Sequence, residues 1–357
     1  MTTREPQPKI EILWDWGTAY DLFVSLHVLN NPEKFGLRAS WAAGVRSRLP
    51  LAERKILEEA EGILPVPLHW LHTLPEPKDG ATALWMLSKI PAEERLPTLA
   101  ISPEISESAA NALREVAESH SWNDDTLDRL RTMYPHKPTM RPKEMACLLD
   151  WWSQPGNFGE RYLGALQAYQ AAFFAEEELR IRPVIKGALA QAQDLAARLP
   201  VEDLLEELSQ GVHFTDLGTV DGLVLVPSYW STPFIVYASI SARKGLVLFG
   251  ARPVDANLIP GETIPDSILR ALKALADPTR LQILRYLSHE SLTPSQLSRL
   301  LRLRMPTILH HLSALRLAGL VQLTLEVEGE RRYALRTDGM SAAFDGLFTF
   351  LNIEAKE

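Results

Sequence analysis

The side chains best placed to do chemistry in this chain fall in two short stretches near its C-terminal end. In TPSQLSRLLRLRMPTILHH, Ser295, Gln296 and Arg299 precede Arg304, Met305, Pro306, Thr307 and His310; downstream, EGERRY carries Arg331 and Arg332. Guanidinium forks, hydroxyls and amides donate hydrogen bonds to phosphate oxygens. The same donors read base edges when a rigid element carries them into a groove. Met305, Pro306 and Leu309 add apolar surface that can touch a thymine methyl but donates no hydrogen bond.

Other constellations are poorer. There is no GxSxG, HExxH or GxxxxGK[ST] pattern, and the acidic runs Glu176-Glu177-Glu178 and Glu206-Glu207 read as solvated helix faces. No enzymatic activity and no cofactor are expected; an enzyme in the N-terminal part is the lesser alternative. Adjacent His310 and His311 point about 100° apart on a helix, so they chelate poorly together, with His310 outward and His311 toward the core. His69 and His72 are spaced as a ligand pair only if their segment is helical, and the prolines around them argue against that. Cys147, in KEMACLLDWW, reads as a small core residue. No metal site is expected. The nine tryptophans (Trp14, Trp16, Trp41, Trp70, Trp85, Trp122, Trp151, Trp152 and Trp230) all precede residue 231. Core or interface packing is favoured over their lining an effector pocket.

The elements that must position the basic stretches follow from pattern and charge. A chain of 357 residues has room for two or three domains, and nearly half its residues are apolar. No apolar run approaches the roughly 20 residues that span a bilayer, the N-terminus lacks a signal-peptide core, and a single cysteine fits a reducing compartment. A soluble, cytoplasmic protein without membrane contact is expected. The net charge of −8 divides unevenly: residues 1–263 carry −10, residues 264–357 carry +2, and 264–336 alone carry +5. Screening cuts charge interactions off beyond about 8 Å, so the local excess decides what a polyanion meets.

Residues 1–210 read as a mostly helical domain that binds an effector or holds a dimer. IEILWDW is a short apolar alternation, and Tyr20, Phe23, Leu26 and Leu29 recur at helical spacing up to a stop at Asn30-Asn31-Pro32. Pro183 is placed at the start of a further helix. Residues 211–252 offer three runs rich in Val, Ile, Leu and Phe, expected as a small antiparallel sheet. Residues 253–266 make the linker.

Residues 267–338 hold the basic stretches. A helix over Ile268–Ala276 is followed by one over Pro278–Leu287 with Asp277 as cap, its buried face made by Leu281, Leu284 and Leu287 with Ile283 beside them. Thr293 caps the next helix, with Pro294 at its first position and Leu297, Leu300 and Leu301 inward. After a short turn, Ile308, Leu312 and Leu315 form the inner stripe of another, which stops at Gly319. Thr307, His310 and Ser313 or Ala314 then face solvent. VQLTLEV and RRYALR flank the turn Glu328-Gly329-Glu330. In residues 339–357, Phe344, Leu347, Phe348 and Leu351 recur at helical spacing as a docking or dimer stripe.

This order is a winged helix-turn-helix. ALADPTRLQILRYL, the helix pair ending HHLSALRLAGLV and the charged wing together resemble the ArsR family of transcriptional regulators over about 70 of the 357 residues. The N-terminal part resembles the extra domain of larger ArsR-like regulators. The resemblance implies double-stranded DNA as partner, with the second helix of the pair at base edges and the first across the backbone. It departs from the metal-sensing members, because SHESLTPSQLSRL has no cysteine pair, and the reading helix opens Arg304-Met305-Pro306-Thr307 instead of with small polar residues. The expected fold is mainly α with small antiparallel sheets (α+β), and the expected protein is a homodimeric DNA-binding regulator with a small-molecule effector. The apolar Met305, Pro306 and Leu309 keep a protein-interaction module as the alternative.

Overall fold

The computed structural model describes residues 10–61, 63–133, 142–214, 220–253, 256, 264–325 and 331–351. Of the 253–266 linker, only residues 253, 256 and 264–266 are among them, and the Glu328-Gly329-Glu330 turn lies outside them. The chain is mainly helical with two small sheets. Among the described residues no helix is long and apolar enough to cross a membrane.

The first sheet differs from the expected antiparallel one. Strands β1 (Glu11–Trp14), β3 (Gly222–Ser228) and β5 (Lys244–Gly250) run parallel in the order β1-β3-β5, and β4 (Val236–Ser241) closes the far edge antiparallel to β5. The reason lies in burial. All seven residues of β3 are buried, as in parallel strands covered on both faces. Leu223 and Leu225 pack with Val247, Phe249, Leu204 and Leu205 on one side. Val224, Val226, Leu246 and Leu248 join the main helical core on the other. Each such side chain contributes roughly 1.5–3 kcal/mol. The continuous apolar runs GLVLV and GLVLF carried this signal.

β2 (Val212–Phe214) does not belong to that sheet. It pairs parallel with β6 (Val321–Leu325), which pairs antiparallel with β7 (Arg331–Leu335), so a strand from before the linker completes the sheet of the wing.

Helix Thr18–Asn30 is apolar nearly all round and lies inside the main core, as such a composition requires. Its polar Asp21 is fully buried but satisfied: it accepts from Ser228 Oγ at 2.8 Å, Trp230 N at 2.8 Å and Tyr229 N at 3.3 Å. Burial nevertheless pushes its carboxyl up to about 7. Asp15, just past β1, accepts from Tyr20 Oη at 2.7 Å, from Lys78 Nζ, and pairs with His72 Nδ1 at 3.0 Å. Burial pushes Asp15 up, but those hydrogen bonds outweigh it and hold the carboxyl below its usual range.

Several local readings change. Leu68–His72 is helical despite its prolines, yet His69 Nε2 bonds Thr98 O at 3.0 Å while His72 goes to Asp15, so the two imidazoles do not converge. Among the described residues no group of three or more His, Cys, Asp or Glu side chains is arranged to hold a metal ion. Pro183 lies inside helix Ala175–Ala196; the carbonyl it leaves without a helical donor belongs to Leu179, which is 73% exposed. Trp70, Trp151, Trp152 and Trp230 are buried, Trp14, Trp16, Trp41 and Trp122 are half-buried, and Trp85 is exposed. Trp41 stacks on Trp230 at 5.5 Å. Cys147 is half-buried, and burial raises its thiol pKa.

Candidate nucleic-acid interface

Helices Asp266–Leu275, Pro278–Leu287, Pro294–Leu301 and Met305–Leu317 build the C-terminal module. Asp277 caps the second of these by accepting Arg280 N at 3.0 Å. Thr293 caps the third: its Oγ1 accepts Gln296 N at 3.2 Å while Gln296 Oε1 accepts Thr293 N at 2.8 Å. Each cap is worth about 1 kcal/mol. Ile283, Leu284, Leu287, Leu297, Ile308, Leu312 and Leu315 close the core. Leu281 and Leu300, read as inward, are instead 50% and 48% exposed. The three-residue repeat drifts around the helix, so Ile283 takes the buried place instead of Leu281.

The helix pair is joined by a tight turn. Arg302 sits in the left-handed region (φ 55°), Leu303 N donates to Ser298 O at 3.2 Å, and Ser298 Oγ returns to Leu303 O at 2.6 Å. With Ile308, Leu312 and Leu315 fully buried, the other face of Met305–Leu317 turns outward. Arg304, Pro306, Thr307, Leu309, His310 and Ser313 are exposed and Met305 is half-buried. Arg304, Thr307, His310 and Ser313 form one row at three-residue spacing. His311 lies half-buried beneath, and burial holds its imidazole below the usual range.

On the first helix of the pair, Ser295 and Arg299 are exposed, whereas Gln296 is half-buried with its Oε1 engaged in the cap. The wing is tied alongside: Leu292 and Tyr333 exchange backbone hydrogen bonds at 2.9 Å in both directions. This sets β7 beside the start of that helix. Arg331, at the strand's first position, is exposed; Arg332 is half-buried and donates to Ser291 O at 3.3 Å. The structure therefore gathers Ser295, Arg299, Arg304, Thr307, His310 and Arg331 as exposed donors around one helix pair and its wing.

Two arginines escaped the sequence reading. Arg302 is exposed in the turn between the helices, and a basic residue at that turn was the available signal. Arg316 had none. It is buried near the end of the reading helix, with Nη1 donating to Gln210 O and Nη2 to Ser209 O, both at 2.8 Å. Arg336 Nη1 reaches the same Gln210 carbonyl at 3.1 Å, and Leu323 N donates to Gly211 O at 2.9 Å. Burial lowers the Arg316 guanidinium to about 10, and Arg336 adds to the shift. Gln210 and Gly211 adopt positive φ (55° and 93°), which turns their carbonyls toward the module. The reading helix thus ends in a clamp on residues before the linker.

Residues 277–322 match the family model described as bacterial regulatory protein, arsR family. Among curated proteins, nothing matches the chain.

Proposed function

Residues 277–322 are an ArsR-family helix-turn-helix domain, and from that premise we propose that this DNA-binding regulator acts as a homodimer whose N-terminal body senses a non-metal effector. The observation that carries the DNA reading is the outward row Arg304, Thr307, His310 and Ser313, set over a buried Ile308–Leu312–Leu315 stripe and flanked by the exposed Arg331 of the wing. Helix Met305–Leu317 enters the major groove, Ser295 and Arg299 meet the backbone, and the wing adds phosphate contacts.

Dimerisation is supported by an apolar face. Helix Thr337–Phe350 buries none of its residues fully. Phe344 (43% exposed) and Phe348 (38%) lie open on it, Leu351 (50%) lies open at its end, and Leu272 (43%) lies open on helix Asp266–Leu275, against which it packs. Isolated exposed apolar residues need no account, but four on two packed helices fit a second copy, which would also present two reading helices to a palindromic site. An effector that prefers one arrangement of body and winged helix shifts the fraction competent for DNA.

A second reading has its own observation. Leu309 is 42% exposed beside Met305 and Pro306 on the reading face, an apolar edge suited to a protein partner. One experiment separates the two. Fluorescence anisotropy measures binding of the wild type and of the Arg331→Ala/Arg332→Ala variant to DNA upstream of the protein's own gene, from about 50 to 200 mM salt. A regulator prefers that DNA to random duplex, and the double variant binds both more weakly, with a salt slope shallower by about 1 per arginine. Equal binding of specific and random DNA, with no change in slope, favours the interaction reading.

A further inference from the structure

The parallel strands β1, β3 and β5 all end at one edge of their sheet, and that edge is where open parallel sheets bind ligands. Here the edge gathers Asp15 after β1, Tyr229 and Trp230 after β3, and Arg252 after β5. Almost every charge around it is spoken for. Asp15 holds Lys78, His72 and Tyr20; Asp21 holds the turn at 228–230. Arg180 donates to Glu177 Oε2 at 3.0 Å and to Tyr229 Oη at 2.8 Å, and its guanidinium lies 4.7 Å from the centre of the Tyr229 ring.

Arg252 is different. The residue is 4% exposed, its backbone N–H donates to Thr232 Oγ1 at 3.1 Å, and among the described residues neither Nη1 nor Nη2 has a hydrogen-bond partner. Its guanidinium lies 5.9 Å from the centre of the same Tyr229 ring. Arg270, on helix Asp266–Leu275, reaches the same neighbourhood from the winged helix: it lies against Gly36, next to Phe35, whose ring is 5.3 Å from that of Phe234 in the turn that holds the Arg252 backbone. The Arg270 stem crosses Gly36, where an added Cβ would fall 2.8 Å from its Cδ. Its Nε and Nη1 are likewise buried without a partner among the described residues. Burial lowers the Arg252 guanidinium to about 10, the positive charge of Arg270 adds to the shift, and Tyr229 and Asp266 offset part of it.

Two guanidiniums in one neighbourhood, each with a pair of buried donors that no described residue answers, are costly unless something negative meets them. Their forked donors match the two oxygens of a carboxylate or a phosphoryl group. We propose that Arg252 and Arg270 form an oxyanion site, open to a carboxylate or phosphoryl group of a small effector, at the junction of the parallel-sheet edge and helix Asp266–Leu275. An anion held there bonds the body through Arg252 and the winged helix through Arg270, so its occupancy favours one arrangement of the two. The link to transcription rests on the effector-sensing reading above; binding of the anion does not.

The test uses the full-length protein and two probes, inorganic phosphate and malonate, each compared with chloride at equal ionic strength. Thermal melting and titration calorimetry read binding to the protein alone, and anisotropy reads DNA affinity in the same buffers. The expected result is saturable stabilisation by at least one probe, phosphate alone indicating a phosphoryl effector and malonate alone a carboxylate. Arg270→Gln, whose residue is only half-buried, weakens that binding at least tenfold, as does Arg252→Gln. Without probe, Arg252→Met melts at or above the wild-type temperature, because removing an unpaired buried charge relieves a penalty. Stabilisation no greater than with chloride, or an unchanged response in Arg270→Gln, overturns the site. So does an Arg252→Met variant that melts far lower, which would make Arg252 a structural residue. Anion binding that meets these tests but leaves DNA affinity unmoved overturns the coupling alone, and failure to bind DNA at all overturns the regulator reading and leaves the site standing.

Discussion

Two junctions join the N-terminal body to the winged helix, and they treat buried positive charge in opposite ways. At the first, Arg316 and Arg336 meet carbonyls of the turn at 209–210, and β2 runs on from that turn into the sheet of the wing. At the second, Arg252, whose guanidinium lies 5.9 Å from the centre of the Tyr229 ring, and Arg270, which lies against Gly36, each keep buried donors that no described residue answers. Both Arg316 and Arg252 are lowered to about 10 by burial, so desolvation alone does not separate them. Their partners do. A satisfied buried cation fixes two bodies together, whereas an unsatisfied one makes their fit depend on what else is bound.

The junctions differ also in what pH can reach, and this gives the largest expected effect. Tyr229 N donates to Asp21, whose carboxyl is raised from about 3.8 to about 7 by burial, with Glu177 adding to it against the hydrogen bonds from Trp230, Ser228 and Tyr229. A raised carboxyl stabilises the fold fully below its unfolded pKa, and that contribution is lost as pH rises through 7. The stability of the wild type relative to Asp21→Asn is expected to fall by up to about 1.4 kcal/mol per pH unit between roughly pH 4 and 7, then level off. Urea denaturation of both proteins across that range checks it. A flat difference would mean that the donors from 228–230 keep Asp21 ionised in the folded state.

Breaking the first junction comes next in size. Arg316→Met leaves Ser209 O without its donor and Gln210 O with Arg336 alone. Charge-assisted bonds to buried carbonyls are worth about 1.5–3 kcal/mol each, so the variant is expected to lose about 2–4 kcal/mol. Calorimetry should then show the winged helix melting ahead of the body. One transition within about 0.5 kcal/mol of wild type would show that β2–β6 pairing suffices.

What the sequence disclosed follows the range of the interactions involved. Asp277-Pro278, Thr293-Pro294 and Gly319 set helix ends through contacts a few residues long, and the structure has each in that role. The outward row on Met305–Leu317 was equally legible, since three-residue spacing opposite an apolar stripe is a local property. Gln296 was half-legible: the capping signal was there, and the cap engages the oxygen, not the nitrogen, of the amide named for phosphate. The parallel sheet was missed because the apolar runs of β3 and β5 signal burial on both faces without naming a partner or its direction, and β1 lies more than two hundred residues before β3. Arg316 and Arg252 were missed for the same reason. A charged residue in a sequence reads as exposed until the elements that bury it are placed.

The smallest expected change in stability sharpens the comparison from a third side. Helix Asp266–Leu275 carries Arg270 against Gly36 of the body and leaves Leu272 exposed, and it packs against helix Thr337–Phe350, which carries the exposed Phe344 and Phe348. The same helix therefore serves the second junction and the proposed contact with another copy, while the first junction meets that contact only where Arg336 begins helix Thr337–Phe350. Phe348 is 38% exposed, so Phe348→Asp should alter the stability of the isolated chain by only about 0.5 kcal/mol. At a two-fold contact the same change places two carboxylates against an apolar face and should halve the mass measured by sedimentation, with at least tenfold weaker binding to a palindromic site. Arg316→Met should leave the mass unchanged. If Phe348→Asp sediments like the wild type, the apolar face serves some other contact, and the second junction must act on DNA binding without a dimer to transmit it.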